Sequence, residues 1–371
     1  MRARLASIAL VFLLAACGDR APTPTFHAEG NPETLSEWGV LRAKNGVLEL
    51  SEGATPYDLA TPLFSDYALK LRTISLPEGE TAAYDPDDVF ALPVGTIISK
   101  TFYYETDGEN KVVRAQGTRT AKGGALTLRG VRLIETRILA HRVAGWVALA
   151  YVWNEAQTEA TLKRTGEVVP LTLARADGRR EDFAYLVPNA NQCAGCHATN
   201  NTTRVIHPIG LKARHLNKPS TFNPGFNQLD YWKISGLLDS SDEQGAGAPK
   251  NAIWGDENFS LDARARAYLD ANCSHCHSNV GPADTSGLDL RPSTPLGPSF
   301  GYCKSPIAAG GGSGGRPFDI VPGHPEQSIT VFRMETRDPA AMMPELGRAV
   351  THEEGVTLIS EWIAKMNGSC G

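Results

Sequence analysis

Two short runs of the same form, Cys193-Ala-Gly-Cys196-His197 and Cys273-Ser-His-Cys276-His277, constrain this chain more than any other feature. Four of its seven cysteines and three of its nine histidines fall into them, far more than composition alone would place there. Two thiols at i and i+3, followed at once by an imidazole, suit a flat macrocycle held by two thioether bonds with a nitrogen on its central iron. Each run therefore predicts one covalent haem c. Cys193 and Cys196 would hold the first with His197 on its iron, and Cys273 and Cys276 the second with His277 on its iron. The rival readings are a zinc site and a redox-active dithiol. A redox pair does not need the histidine, and four cysteines on one zinc leave both histidines unexplained. His275, inside the second run, reads as a solvent-facing filler between two thioethers.

The compartment follows from the start of the chain. Arg2 and Arg4, an apolar run from Leu5 to Leu14 and then Leu14-Ala15-Ala16-Cys17 read as a signal peptide cut before a cysteine whose thiol is acylated. Residues 1–16 would be lost and Cys17 would carry the lipid; the alternative is a plain secretory signal that ends near a cysteine. Gly18 follows Cys17, which by likeness to sorted lipoproteins points to the outer membrane, periplasmic side. No later stretch reaches the ~18 apolar residues a spanning helix needs. Cys303 and Cys370 are then left over. In an oxidising compartment they are expected to form a disulfide, the alternative being two separate buried thiols.

The formal net charge is −5 and becomes more acidic once Arg2 and Arg4 are removed. Nucleic acid and an anionic membrane face, which need a basic surface, are therefore not expected partners. A length of 371 residues with 42% apolar and 21% charged residues suits two or three globular domains.

Residues 17–34 are rich in proline and polar residues and read as a tether behind the lipid anchor. Residues 35–185 read as β-rich. Gly95 to Glu105, Leu126 to Leu139 and Gly145 to Trp153 are runs of β-branched and aromatic residues broken by turn formers. Residues 186–250 form a first haem-binding region of loops and short helices, and a Gly/Asp/Ser/Pro stretch from about 239 to 255 separates it from residues 255–371. There Ser260 caps a predicted helix that runs into Cys273. Near the end Thr351 and Glu354 have capping-box spacing ahead of Val356, Ile359, Trp362, Ile363 and Met366 at helical period. The glycines from Gly310 to Gly315 formally match a nucleotide-binding pattern, but Cys303-Lys-Ser-Pro306 precedes them where a strand is required.

A helix before the haem motif, a Met342-Met343-Pro344 loop and a closing amphipathic helix make the segment 255–371 resemble small class I cytochromes c. The resemblance implies Met343 as the sixth ligand of the second haem, with Met342 and then Met334 in reserve. A thioether sulfur favours Fe(II) and raises the potential. No methionine lies between Ala198 and Arg333, so His207 or His215 is the candidate sixth ligand of the first haem. Either could instead be a surface histidine or bond a propionate.

Nearly the whole mature chain resembles an uncharacterised family of dihaem c-type cytochrome lipoproteins of Gram-negative bacteria. The residues that carry this are Thr61-Pro-Leu-Phe-Ser-Asp-Tyr-Ala-Leu-Lys-Leu-Arg72, Glu135-Thr-Arg137, Trp153-Asn154, Asn191-Gln-Cys193 and Pro208-Ile-Gly-Leu-Lys-Ala-Arg-His-Leu-Asn217. Asn272-Cys273, Ser286-Gly-Leu-Asp-Leu290 and Met342-Met-Pro-Glu-Leu-Gly-Arg348 complete the set. The expected fold class is α+β and multidomain: an N-terminal β-rich, sandwich-like domain followed by mainly α-helical cytochrome c haem domains. The expected function is electron transfer through two haems to or from a periplasmic redox partner protein, more a carrier than a catalyst. A parallel β-helix protein is a further partner that the resemblance suggests. The alternatives are a peroxidase-like dihaem enzyme with an open first haem, and the cytochrome subunit of a periplasmic dehydrogenase. If Cys17 carries the lipid, Cys17→Ser should move the protein from the membrane fraction to the soluble periplasm; a wild type already soluble there would refute the anchor.

Overall fold

The computed structural model describes residues 22–108, 111–114, 125–175, 177–239, 247–307 and 309–371. The expected signal peptide, Cys17 and the start of the expected tether lie outside them. The strands are β1 (Leu41–Lys44), β2 (Val47–Leu50), β3 (Thr55–Tyr57), β4 (Leu69–Ser75), β5 (Ile97–Gly108), β6 (Lys111–Val113), β7 (Ala125–Thr127), β8 (Val131–Arg142), β9 (Gly145–Trp153), β10 (Ala160–Leu162), β11 (Glu167–Ala174) and β12 (Arg180–Val187). The helices are α1 (Ala190–His197), α2 (Ala213–Leu216), α3 (Gln228–Ile234), α4 (Leu261–Asn272), α5 (Ile329–Glu335) and α6 (Glu353–Ala364).

Long strands β5, β8 and β9 are rich in Ile, Val, Tyr and Trp, which pack well on a pleated surface. They pair antiparallel in the middle of a nine-stranded sheet ordered β10-β9-β8-β5-β6-β11-β12, with β4 on the free side of β5 and β3 beyond it. Arg142 pairs with Gly145, so β8 and β9 are joined by a two-residue turn. A register shift between Phe102 and Tyr103 bends β5 where its neighbours change.

Side chains of successive residues on these strands face opposite ways, and the two faces have different covers. Leu71, Ile97, Ile138 and Tyr151 pack with Leu41, Leu48 and Leu126 of the small sheet β1-β2-β7. Ile74, Ile98 and Leu139 face the other way and pack with Leu211, Leu216, Leu229 and Trp232, which come from the segment after the first Cys-rich run. That segment has no separate core; it is the lid on one half of the sheet.

The expected fold class is thus corrected. A sandwich-like domain followed by mainly α-helical cytochrome c domains is not what forms. The chain is sheet-rich, with 27% strand and 20% helix, and its large sheet curls into a half barrel. The long strands keep pairing with one another instead of dividing into two facing sheets, and loops and short helices cover one face of that sheet. The described residues of 255–371 form three α-helices among turns and short 3-10 segments. The physical reason is composition: the segment between α4 and α5 carries glycines and prolines such as Gly281, Pro292, Pro298 and Gly301, which break helices and favour turns.

The two helices placed by cap and apolar spacing, after Ser260 and near the C-terminus, do form. Ser260 accepts the N–H of Ala263 at the start of α4. In α6, Leu358, Ile359, Trp362 and Ile363 are buried against α4, and Gly355 lets the helices cross closely, since a Cβ there would lie 2.3 Å from the Tyr268 hydroxyl. The capping box is not made. His352 stands at the N-cap, the Thr351 hydroxyl donates to the Glu335 carbonyl, and Glu354 accepts from the Tyr67 hydroxyl. Cys303 and Cys370 are bonded to each other, with Cα atoms 5.2 Å apart.

The segment from Thr61 to Tyr67 fastens the sheet to the C-terminal part. The Thr61 hydroxyl donates to the Ala252 carbonyl, and the Phe64 N–H donates to Asn272 at 2.8 Å. One oxygen of the buried Asp66 carboxylate accepts the N–H groups of Ala349 and Val350 at 2.6 and 2.9 Å. Replacing Asp66 by Ala leaves two donors in a water-poor seam without an acceptor and should cost about 3 kcal/mol of unfolding free energy in denaturant titration. A change below about 0.5 kcal/mol would show that water replaces the carboxylate freely.

Candidate functional site

The two Cys-rich runs sit side by side. The first occupies α1, started by a reciprocal cap in which Asn189 accepts the Gln192 N–H and the Gln192 side chain accepts that of Asn189. The helix turn sets Cys193 and Cys196 on one side. The second run begins where α4 ends, with the Cys273 N–H on the Leu269 carbonyl and the His277 N–H on that of Cys273. The Cys276 sulfur lies 3.9 Å from the Gly195 carbonyl oxygen, so the two runs touch. The Asn201 N–H donates to Val280 at 2.7 Å just behind them.

Both runs open into one cavity of about 1160 Å³, larger than the ~300–1000 Å³ typical of a pocket for a single small ligand. All four thiols are free. Burial raises the pKa of each, to about 12 for Cys273 and Cys276, so they are held as protonated thiols, unlike the lowered-pKa thiolate of a redox dithiol. Among the described residues no three His, Cys, Asp or Glu side chains converge as a metal cage. A haem needs none, because its iron takes four nitrogens from the macrocycle and one or two ligands from the chain.

Each motif histidine is aimed by one ring nitrogen. His197 Nδ1 donates to the His207 carbonyl at 2.8 Å. His277 Nδ1 donates to Ser286 Oγ at 3.1 Å, and that hydroxyl donates onward to the Ala283 carbonyl. This is the support a metal-bound imidazole commonly has, one nitrogen fixed and Nε2 left for the ligand. Burial lowers both imidazoles to about pKa 4, so they are neutral and able to coordinate. The residues present therefore fit two covalent haems.

Met343 lines the cavity, held by its own N–H on Arg333 and by the Arg348 guanidinium on its carbonyl. Met334 lines it too, and Met342 does not. His207 and His215 both line it, yet their rings have other partners. The ring of His207 bonds the Thr199 hydroxyl through Nε2. His215 has Nδ1 at 3.3 Å from the Asn251 amide and Nε2 at 3.5 Å from Asp270. His207 instead serves through its backbone, orienting His197.

Two features escaped the sequence reading. His275 lines the cavity and is half-buried, and burial lowers its pKa to about 4. The second is a polar network. Arg214 donates to both oxygens of Asp270 at 2.8 and 3.0 Å, and Asn251 and Ser274 bond the same carboxylate. Burial alone would raise the Asp270 pKa, but these partners hold it well below the usual carboxylate range. The residues lie 56 apart in sequence, so no local pattern announces the pair.

Burial also depresses His215, to about 4. The unfolded chain takes up that proton near pH 6.5 and the folded chain does not, so stability is present above about 6.5 and is lost as pH falls toward 4. His215→Gln should flatten the fall of unfolding free energy across that window. An unchanged slope would assign it to other groups.

Compared with family models, with curated proteins and with solved structures, the chain gives no match.

Proposed function

We propose that this chain is a dihaem c-type cytochrome that transfers electrons on the periplasmic side of a Gram-negative outer membrane, anchored through Cys17. One observation carries the reading: both Cys-x-x-Cys-His runs open into a single cavity with four free thiols and two histidines each aimed by one ring nitrogen. Haem, when bound, supplies the one-electron chemistry of its iron. The chain's part is to hold and tune. Cys193, Cys196, Cys273 and Cys276 fasten the groups, and His197 and His277 give each iron a neutral nitrogen. Met343 offers a soft sulfur that favours the reduced state of the second. Contact between Gly195 and Cys276 keeps the two attachment points together, so an electron passing from one to the other stays inside the protein. The partner is a periplasmic redox protein, with a parallel β-helix protein and a dehydrogenase as further candidates.

A second reading, a peroxidase-like enzyme, is favoured by the bonds that occupy His207 and His215, since these leave the first iron without a ready sixth ligand. The test is intact mass and a ferric spectrum of the full chain expressed with covalent haem maturation. Two haems that survive denaturation are expected, and one in Cys273→Ala/Cys276→Ala; none in the wild type overturns the proposal. A high-spin ferric signal together with peroxide turnover would favour the enzyme over the carrier.

A further inference from the structure

Three basic side chains stand in one row across the sheet wall of the cavity, and burial beside the two arginines pulls the Lys100 amine well below its usual range in the absence of an anion. In β4, β5 and β8 the register pairs Arg72 with Lys100 and Lys100 with Arg137, so the three are direct neighbours on one face. All three line the cavity. Like charges directly opposite in a sheet destabilise it, and three in a row call for anions. Among the described residues the chain supplies too few. Glu135 is fully buried but committed, accepting two bonds from Arg137 and one from the Tyr185 hydroxyl. Asp58 comes only within 3.7 Å of Arg72, beyond hydrogen-bond range.

Arg72 is 4% exposed, and its Nη2 is buried with no hydrogen-bond partner. Leaving a buried charged donor unpaired costs several kcal/mol, so such a group in a cavity wall marks where a ligand atom belongs. Lys100 rests 4.8 Å from the centre of the Phe102 ring, with the Arg137 guanidinium 4.4 Å from it. An aromatic face offsets part of the charge but makes no hydrogen bond with it. The row lies beside the first motif: Arg137 acts electrostatically on Cys193, Cys196 and His197, and Lys100 on Cys196 and His197.

We propose that Arg72, Lys100 and Arg137 form an anion subsite that takes the carboxylate side chains of the haem attached at Cys193 and Cys196. This rests on the dihaem reading. The shared chemistry is a carboxylate, which a small free acid entering the cavity could also bring. Forked guanidinium donors from Arg72 and a point charge from Lys100 match a pair of carboxylates held on one edge of a macrocycle. Their positive charge also stabilises the reduced, more electron-rich state of that haem.

The experiment uses the full chain in its haem-loaded form, as wild type, Arg72→Gln, Lys100→Met and Lys100→Arg. Readouts are haem count by mass, both midpoint potentials from pH 5 to 9, and the thermal midpoint. Arg72→Gln and Lys100→Met should keep two haems, lower one potential, make that potential newly pH-dependent, and lower the thermal midpoint. Lys100→Arg should restore wild-type behaviour. If the row had no anion, removing one of three like charges would raise the thermal midpoint, so the sign alone decides. Unchanged potentials and pH profiles in both neutral variants overturn the proposal. A saturable shift of the wild-type spectrum by succinate, lost in the variants, reassigns the subsite to a free carboxylate and also overturns it. Two haems in the wild type with these failures sink only the subsite; absence of haem sinks the dihaem reading itself.

Discussion

The ion pair between Arg214 and Asp270 joins two parts of the chain that the site cannot do without. Arg214 follows the first Cys-rich run, and Asp270 lies in the last turn of the helix that delivers the second. The Asp270 side chain is fully buried, so its charge persists only because both oxygens are bonded to Arg214 and further donors come from Asn251 and Ser274. A buried carboxylate stripped of its guanidinium costs about 3–5 kcal/mol, which makes this pair a condition on the relative placement of the two runs. Since the pair is directional, it sets orientation as well as distance.

The curled sheet is the other half of that placement. Its one face is closed by the small sheet, and its other face has to be covered by the segments that carry the cysteines, because Ile74, Ile98 and Leu139 would otherwise meet water. Covering is incomplete in the middle, and the space left is the cavity. The polar row of Arg72, Lys100 and Arg137 lies next to the apolar row of Ile74, Ile98 and Leu139. A macrocycle with an apolar body and a charged edge would meet both kinds of surface in one wall.

Rigidity around the motifs comes from short-range bonds. His197 and His207 exchange hydrogen bonds, ring to carbonyl and N–H to carbonyl, closing the loop between them. Gly281 is required beside the second motif, since a Cβ there would fall 2.2 Å from the Cys276 carbonyl oxygen. Asp66 and Tyr67 carry the fastening across to Val350 and Glu353, near the loop of Met343. Each of these bonds ties down backbone at or near the cavity wall, so the side chains that line the cavity start from fixed positions.

Local chemistry was legible in the sequence. The two Cys-x-x-Cys-His runs, the strands of the β-rich part, the Ser260 cap and the apolar stripe of α6 all depend on residues a few positions apart, where spacing alone carries the physics. Even there a distant group competes: Tyr67 takes Glu354 out of its capping box, and His275 stands half-buried in the cavity wall. What only the tertiary structure decided depends on contacts between remote residues. Whether strands close into a sandwich or curl as one sheet depends on pairing partners and on what covers each face, and periodicity within a strand is the same in both cases. The Arg214–Asp270 pair, the row of Arg72, Lys100 and Arg137, and the contact of the two motifs at Gly195 and Cys276 all join residues that the sequence holds far apart. Their energies come from desolvation and charge in a shared cavity, and that environment exists only once the chain has folded.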